Sequence, residues 1–95
     1  MENKSRINEL YVKYYFHSGS NEYQIYLQKQ SDKFDIYRKF ENGSEGVAHG
    51  TYRKLDNDIY NLMVDENSRI TNSKLLLIKN DSIHGFNGAS HALSK

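Results

Sequence analysis

The chain has 95 residues, of which 37% are hydrophobic, 26% charged and 13% aromatic, and 13 Lys and Arg stand against 12 Asp and Glu for a formal charge of +1. That length supports one domain (1–95) with a single modest core, and the aromatic content is too high for a disordered chain. Charge near zero and spread in both signs argues against nucleic acid and against a polybasic membrane patch, while the absence of cysteine excludes disulfides, a thiolate nucleophile and cysteine-bound zinc.

Residues 1–9 are polar and read as flexible. Leu10, Val12, Tyr14 and Phe16 then alternate, as Tyr23, Ile25 and Leu27 do after them. An extended chain sends successive side chains to opposite faces, so this rhythm predicts strands with one face on a core. Ile7, Leu10, Tyr11, Tyr14 and Tyr15 also fit helical spacing, with Ser5 as an N-cap and Gly19 as a stop, which makes a helix over 5–18 the competing reading. Strand is preferred for 10–17 because Tyr, Val and Phe suit a pleated sheet and because the rhythm continues into the next segment. A loop at 18–21 then pairs Phe16 with Tyr23, Tyr14 with Ile25 and Val12 with Leu27, all apolar or aromatic.

A third strand at 33–40 carries Phe34, Ile36 and Phe40 inward, with Arg38 as a break suggesting a bulge or an edge. Residues 41–46 read as a flexible connection, followed by a weaker strand through Thr51, Tyr52 and Leu55. Ile59–Val64 has apolar residues at both parities and reads as covered on both sides, as does the run Leu75-Leu76-Leu77-Ile78. Asn80-Asp81 is a hairpin turn, Ile83 to Phe86 closes the meander, and 87–95 reads as a mobile tail in which Gly88, like Gly85 before it, permits a bend or turn. The expected fold is therefore all-β: a small antiparallel meander of six or seven strands, forming a partly open barrel or a two-layer sandwich.

The opening residues Met1 to Lys4 lack the apolar stretch of a secretory signal, and the longest apolar run, 75–78, is too short to span a membrane, so the expected setting is cytoplasmic with no membrane partner. Asn42-Gly43-Ser44 has the form of a glycosylation acceptor, which matters only in an exported chain. Gly43, Gly46 and Gly50 match no nucleotide fingerprint. A calcium loop starting at Asp56 would need glycine where Asn61 stands and glutamate where Asn67 stands, so Asp56-Asn57-Asp58 and Asp65-Glu66-Asn67 read as turns. His17, His49, His84 and His91 are the obvious candidates for acid–base or metal chemistry, but none stands at ligand spacing. They read as solvated strand-end residues, with His91 in the tail. No cofactor or metal is implied, and no catalytic residue can be assigned.

The most suggestive feature is the face opposite the core in the first three strands: Tyr11, Lys13, Tyr15, His17, Tyr26, Tyr37 and Lys39. Tyrosine combines large contact area with a polar tip, and this set interleaves it with basic groups. A protein partner, or a second copy of the chain, could dock there; the plainer account is cross-strand pairing that stabilises the sheet. The leading expectation is a non-enzymatic binding or regulatory module that self-associates through this face or binds another protein. The alternative is a small barrel holding an apolar ligand among Tyr14, Ile25, Leu62 and Leu77, with or without histidine chemistry.

Overall fold

A computed structural model of the protein describes residues 10–40, 43–68, 70–71 and 73–95, with side chains for all of these except 40 and 43–47. Its strands are β1 (Tyr11–Ser18), β2 (Asn21–Gln28), β3 (Lys33–Phe40), β4 (Gly43–Asp56), β5 (Ile59–Val64), β6 (Leu75–Lys79), β7 (Ser82–Phe86) and β8 (Ala89–Ala92). They form one eight-stranded sheet in sequence order, every neighbour antiparallel. The sheet curls until the chain just past β8 meets β1. Tyr15 N–H donates to the Ser94 carbonyl at 2.7 Å, and Ser94 N–H donates to the Tyr15 carbonyl at 2.9 Å. The architecture is a nearly closed barrel.

The first hairpin has the register that its apolar pattern demands: Val12 faces Leu27, Tyr14 faces Ile25 and Phe16 faces Tyr23. Gly19, at φ 62°, supplies the left-handed residue that a tight connection needs. Three later connections take positive φ at Asp58, at Asn80, and at Asn87 with Gly88. The last pair, both left-handed, is the Asn-Gly signature of a hairpin whose twist matches its strands.

Curling comes from irregularities in the ladders. Register shifts lie at Ile36/Tyr37 between β3 and β4, at Lys54/Asp56 between β4 and β5, and at His84/Phe86 between β7 and β8. Each adds local twist, and repeated bulges are what bend a flat sheet round on itself. Gly50 thins the wall: a Cβ there would stand 1.9 Å from the Met63 carbonyl oxygen and 2.7 Å from the Phe34 ring. The Phe34 side chain lies across the position that the glycine leaves bare.

Inside are Tyr14, Phe16, Tyr23, Ile25, Leu27, Phe34, Ile36, Ala48, Tyr60, Leu62, Leu76, Ile78, Ile83, Phe86 and Leu93, all buried. Each large aliphatic or aromatic side chain so enclosed contributes about 1.5–3 kcal/mol of transfer free energy. Phe16 lies at the centre of an aromatic cluster, 4.9 Å from the Tyr23 ring, 5.0 Å from Phe86 and 5.6 Å from His91. The segment between β5 and β6 folds over this core: Ile70 and Thr71 are buried, and the Ser73 hydroxyl donates to the Gly85 carbonyl at 2.6 Å.

Several expectations need correction. The all-β antiparallel meander is as expected, but the described residues form eight strands rather than six or seven, because the expected tail contains β8. The expected flexible connection at 41–46 is, over 43–46, the start of a longer β4, while residues 41 and 42 lie outside the described residues, as does the stretch 1–9. The preferred reading of the first segment as strand holds, with β1 at Tyr11–Ser18, and the competing helix does not form over these residues. Neither β5 nor β6 is covered on both sides, since Met63 is 60% and Leu75 67% exposed on the outer wall. His91 belongs to β8 and packs its ring on Phe16 and Phe86. His49 lies within β4 rather than at a strand end.

Candidate functional site

Strand parity sends Tyr11, Lys13, Tyr15 and His17 of β1 outward, together with Glu22, Gln24 and Tyr26 of β2 and Asp35, Tyr37 and Lys39 of β3. Register arranges these side chains in rows across the strands. His17, Glu22 and Lys39 form one row, Tyr15, Gln24 and Tyr37 the next, and Lys13, Tyr26, Asp35 and then His49 of β4 the third. Neighbouring strands stand about 4.8 Å apart, close enough for each row to be in side-chain contact.

The tyrosines touch. Tyr26 is the hub, with its ring centroid 5.5 Å from that of Tyr11 and 5.6 Å from that of Tyr37, each pair nearly perpendicular. Edge-to-face geometry places the positive rim of one ring on the negative face of the next. The Lys13 ammonium lies 5.0 Å from the centroids of both Tyr15 and Tyr26, and the Tyr15 phenol, followed by that of Tyr26, raises the lysine pKa against the opposing effect of burial. The Tyr26 hydroxyl donates to the Gln24 side-chain oxygen at 3.1 Å. Burial, and after it the charge of Asp35, raises the pKa of Tyr37.

Tyr11, Lys13, Tyr15, Tyr26 and Tyr37 are all half-buried, and they contact one another through ring–ring and cation–ring pairs. The ring contacts support one another from strand to strand. His17 and Lys39 stand at the rim, both exposed, and Lys39 Nζ reaches Glu22 at 3.8 Å. The expected set thus divides into five residues in contact and two at the edge.

Two neighbours of the network lie outside the expected set. Asp35 and His49 continue the row of Lys13 and Tyr26, and the His49 Nδ1 lies 2.6 Å from the Asp35 carboxylate. The pairing of β2 with β3 places Asp35 in that row, and the pairing of β3 with β4 adds His49. The other histidines form no cluster with them: His84 Nδ1 faces the Ser90 hydroxyl at 2.8 Å, and His91 lies among core rings. Among the described residues no group of three or more His, Asp or Glu is placed to hold a metal ion.

On the outer wall of β4–β6, an open groove of about 440 Å³ is lined by Asp32, Thr51, Arg53, Asn61, Met63 and Leu75, among others. Of the residues expected to surround an interior ligand, Tyr14, Ile25 and Leu62 do face inward, whereas Leu77 is half-exposed on the outer wall between Asn61 and His84. Among the described residues no helix is long and apolar enough to cross a membrane. In comparisons with known proteins, no family model, curated protein or solved structure matches this chain.

Proposed function

We propose that the chain is a non-enzymatic protein-association module whose working surface is the tyrosine face of β1–β3. The observation that carries this reading is the contact network Tyr11–Tyr26–Tyr37 with Lys13 held between Tyr15 and Tyr26. Association costs free energy wherever side chains must be immobilised, and rings already ordered by their neighbours lose little on docking. A central aromatic group edged by charged residues is also how association surfaces are commonly built: anchors in the middle and polar groups outside. Here Tyr26 is the centre, with His17, Glu22, Lys39 and the Asp35–His49 pair around it. The face is the outside of a barrel wall, whereas reaction chemistry needs groups converging in a concavity.

Photo-crosslinking tests the reading directly. A photoreactive phenylalanine analogue replaces Tyr26 or Tyr37 in turn, and Arg53, on the outer wall of β4, serves as the control position. Illumination in the cells that make the protein should yield covalent adducts to a protein from 26 and 37 and none from 53. Equal yields from all three positions, or none from any, would overturn it.

A further inference from the structure

We infer that the partner is a second copy of this chain, docked face to face about a two-fold axis that lies in the interface and runs along β2. This rests on the reading of the tyrosine face as an association surface and adds the identity of what covers it.

Charge order within one row carries the argument. Across β1, β2 and β3 the row reads Lys13, Tyr26, Asp35: positive, aromatic, negative. An axis along β2 keeps every row at its own height and exchanges β1 with β3. Lys13 of each copy then faces Asp35 of the other, Tyr26 meets its own counterpart, and Tyr15 faces Tyr37. Two ion pairs flank a tyrosine pair, as an isologous contact requires, because every contact between unlike residues occurs twice. Running the axis across the strands instead would set Lys13 against Lys13 and Asp35 against Asp35.

The remaining geometry agrees. Sheets stacked with their strands roughly aligned are a common packing mode, with faces about 10 Å apart, a gap that tyrosines from both sides fill. At the rim the same axis sets Glu22 against its own counterpart and His17 against Lys39. Glu22 arrives already paired with the Lys39 of its own chain at 3.8 Å, and at the exposed edge water and salt screen what repulsion is left. Asp35, already 2.6 Å from His49 Nδ1, is held in place for the incoming lysine. A protein of different sequence would have to reproduce the reverse order of charges by coincidence, whereas a second copy does so by symmetry.

Light scattering and sedimentation on the purified protein test this with charge exchange. The unmodified chain should be a dimer. Lys13→Glu and Asp35→Lys should each weaken self-association at least about a hundredfold, since either variant alone places like charges opposite one another twice. Mixing the two variants should restore a heterodimer. The carboxylate introduced at position 13 of one chain then meets the ammonium introduced at position 35 of the other, and the remaining native Lys13 meets the remaining native Asp35. Circular dichroism of each variant confirms the fold. A chain that stays monomeric at millimolar concentration, or a mixture that forms no heterodimer, overturns the self-association. In that event adducts from position 26 to a different protein would leave the association reading standing, and their absence would remove both.

Discussion

Four of the eight tyrosines face the core (Tyr14, Tyr23, Tyr52 and Tyr60) and four face out (Tyr11, Tyr15, Tyr26 and Tyr37). Ring geometry does not separate the groups. Tyr52 and Tyr60 stand 5.7 Å apart inside, and Tyr26 and Tyr37 stand 5.6 Å apart outside, both pairs edge to face. The hydroxyls of Tyr14 and Tyr26 do differ. Inside, Tyr52 reaches the Gln28 carbonyl, while the buried Tyr14 hydroxyl faces Tyr60 and Asp58 without completing a hydrogen bond. Outside, the Tyr26 hydroxyl has the Gln24 side chain. Tyr14 thus serves by volume with an unsatisfied tip, whereas Tyr26 presents both ring and tip at the surface.

The largest test of that contrast is truncation on the inner face. Phe16, 2% exposed and in contact with three other rings, should cost about 3–5 kcal/mol of unfolding free energy as Phe16→Ala. Tyr26→Ala should cost about 1 kcal/mol, the scale of cross-strand pairs at a half-exposed site, while abolishing association. Urea denaturation measures both. Comparable losses would mean that the outer network belongs to the folding core, and the docking face would go with it.

A subtler test removes only the oxygen. Tyr14→Phe deletes a buried hydroxyl that completes no hydrogen bond, so it should raise stability by about 1 kcal/mol, whereas Tyr26→Phe, at a site open to water, should change it by roughly a few tenths at most. Alkaline titration sharpens this. Burial, with smaller contributions from Tyr60 and Asp58, holds the Tyr14 pKa well above the ordinary 10.0, so above that pH the unfolded chain loses a proton that the folded one keeps. Stability contributed by the neutral phenol is complete below about pH 10 and falls as pH rises toward the folded value. The decline should be shallower in Tyr14→Phe, read as the urea midpoint between about pH 9 and 11.

Legibility of the fold tracks how local the determinants are. The first hairpin is readable to the residue because a tight turn and an apolar alternation agree on one register, and β3 keeps its expected bounds of 33–40. β8 escapes a sequence reading although Asn87-Gly88 is a strong turn signal, because Ala89-Ser90-His91-Ala92 offers no large apolar residue to mark a strand. β4 begins earlier than expected because Gly43, Gly46 and Gly50 interrupt its alternation, and Gly50 is needed because the Met63 carbonyl and the Phe34 ring both crowd the position of its missing Cβ. Met63 and Leu75 mislead because apolar residues do occupy outer walls. Members of the tyrosine face follow from parity alone. Asp35 shares that parity, but His49 does not follow from it: its alignment with Asp35 passes through β3–β4, where the register shifts at Ile36/Tyr37, and a bulge cannot be counted from sequence.

The smallest expected effects separate the two lysines of the outer face. Lys13 lies 5.0 Å from two ring centroids and half-buried, so Lys13→Ala should cost about 0.5–1 kcal/mol of stability. Lys39, 52% exposed and 3.8 Å from a Glu22 that is 36% exposed, forms an ion pair whose attraction water and salt largely screen. Lys39→Ala should therefore shift stability by no more than about 0.5 kcal/mol, and in roughly 1 M NaCl the shift should vanish. The Lys13 effect should persist there in part, because the ring faces that attract its ammonium also shield it from counterions. Equal salt sensitivity at both positions would reduce Lys13 to another solvated charge and leave the tyrosines without the cation that links Tyr15 to Tyr26.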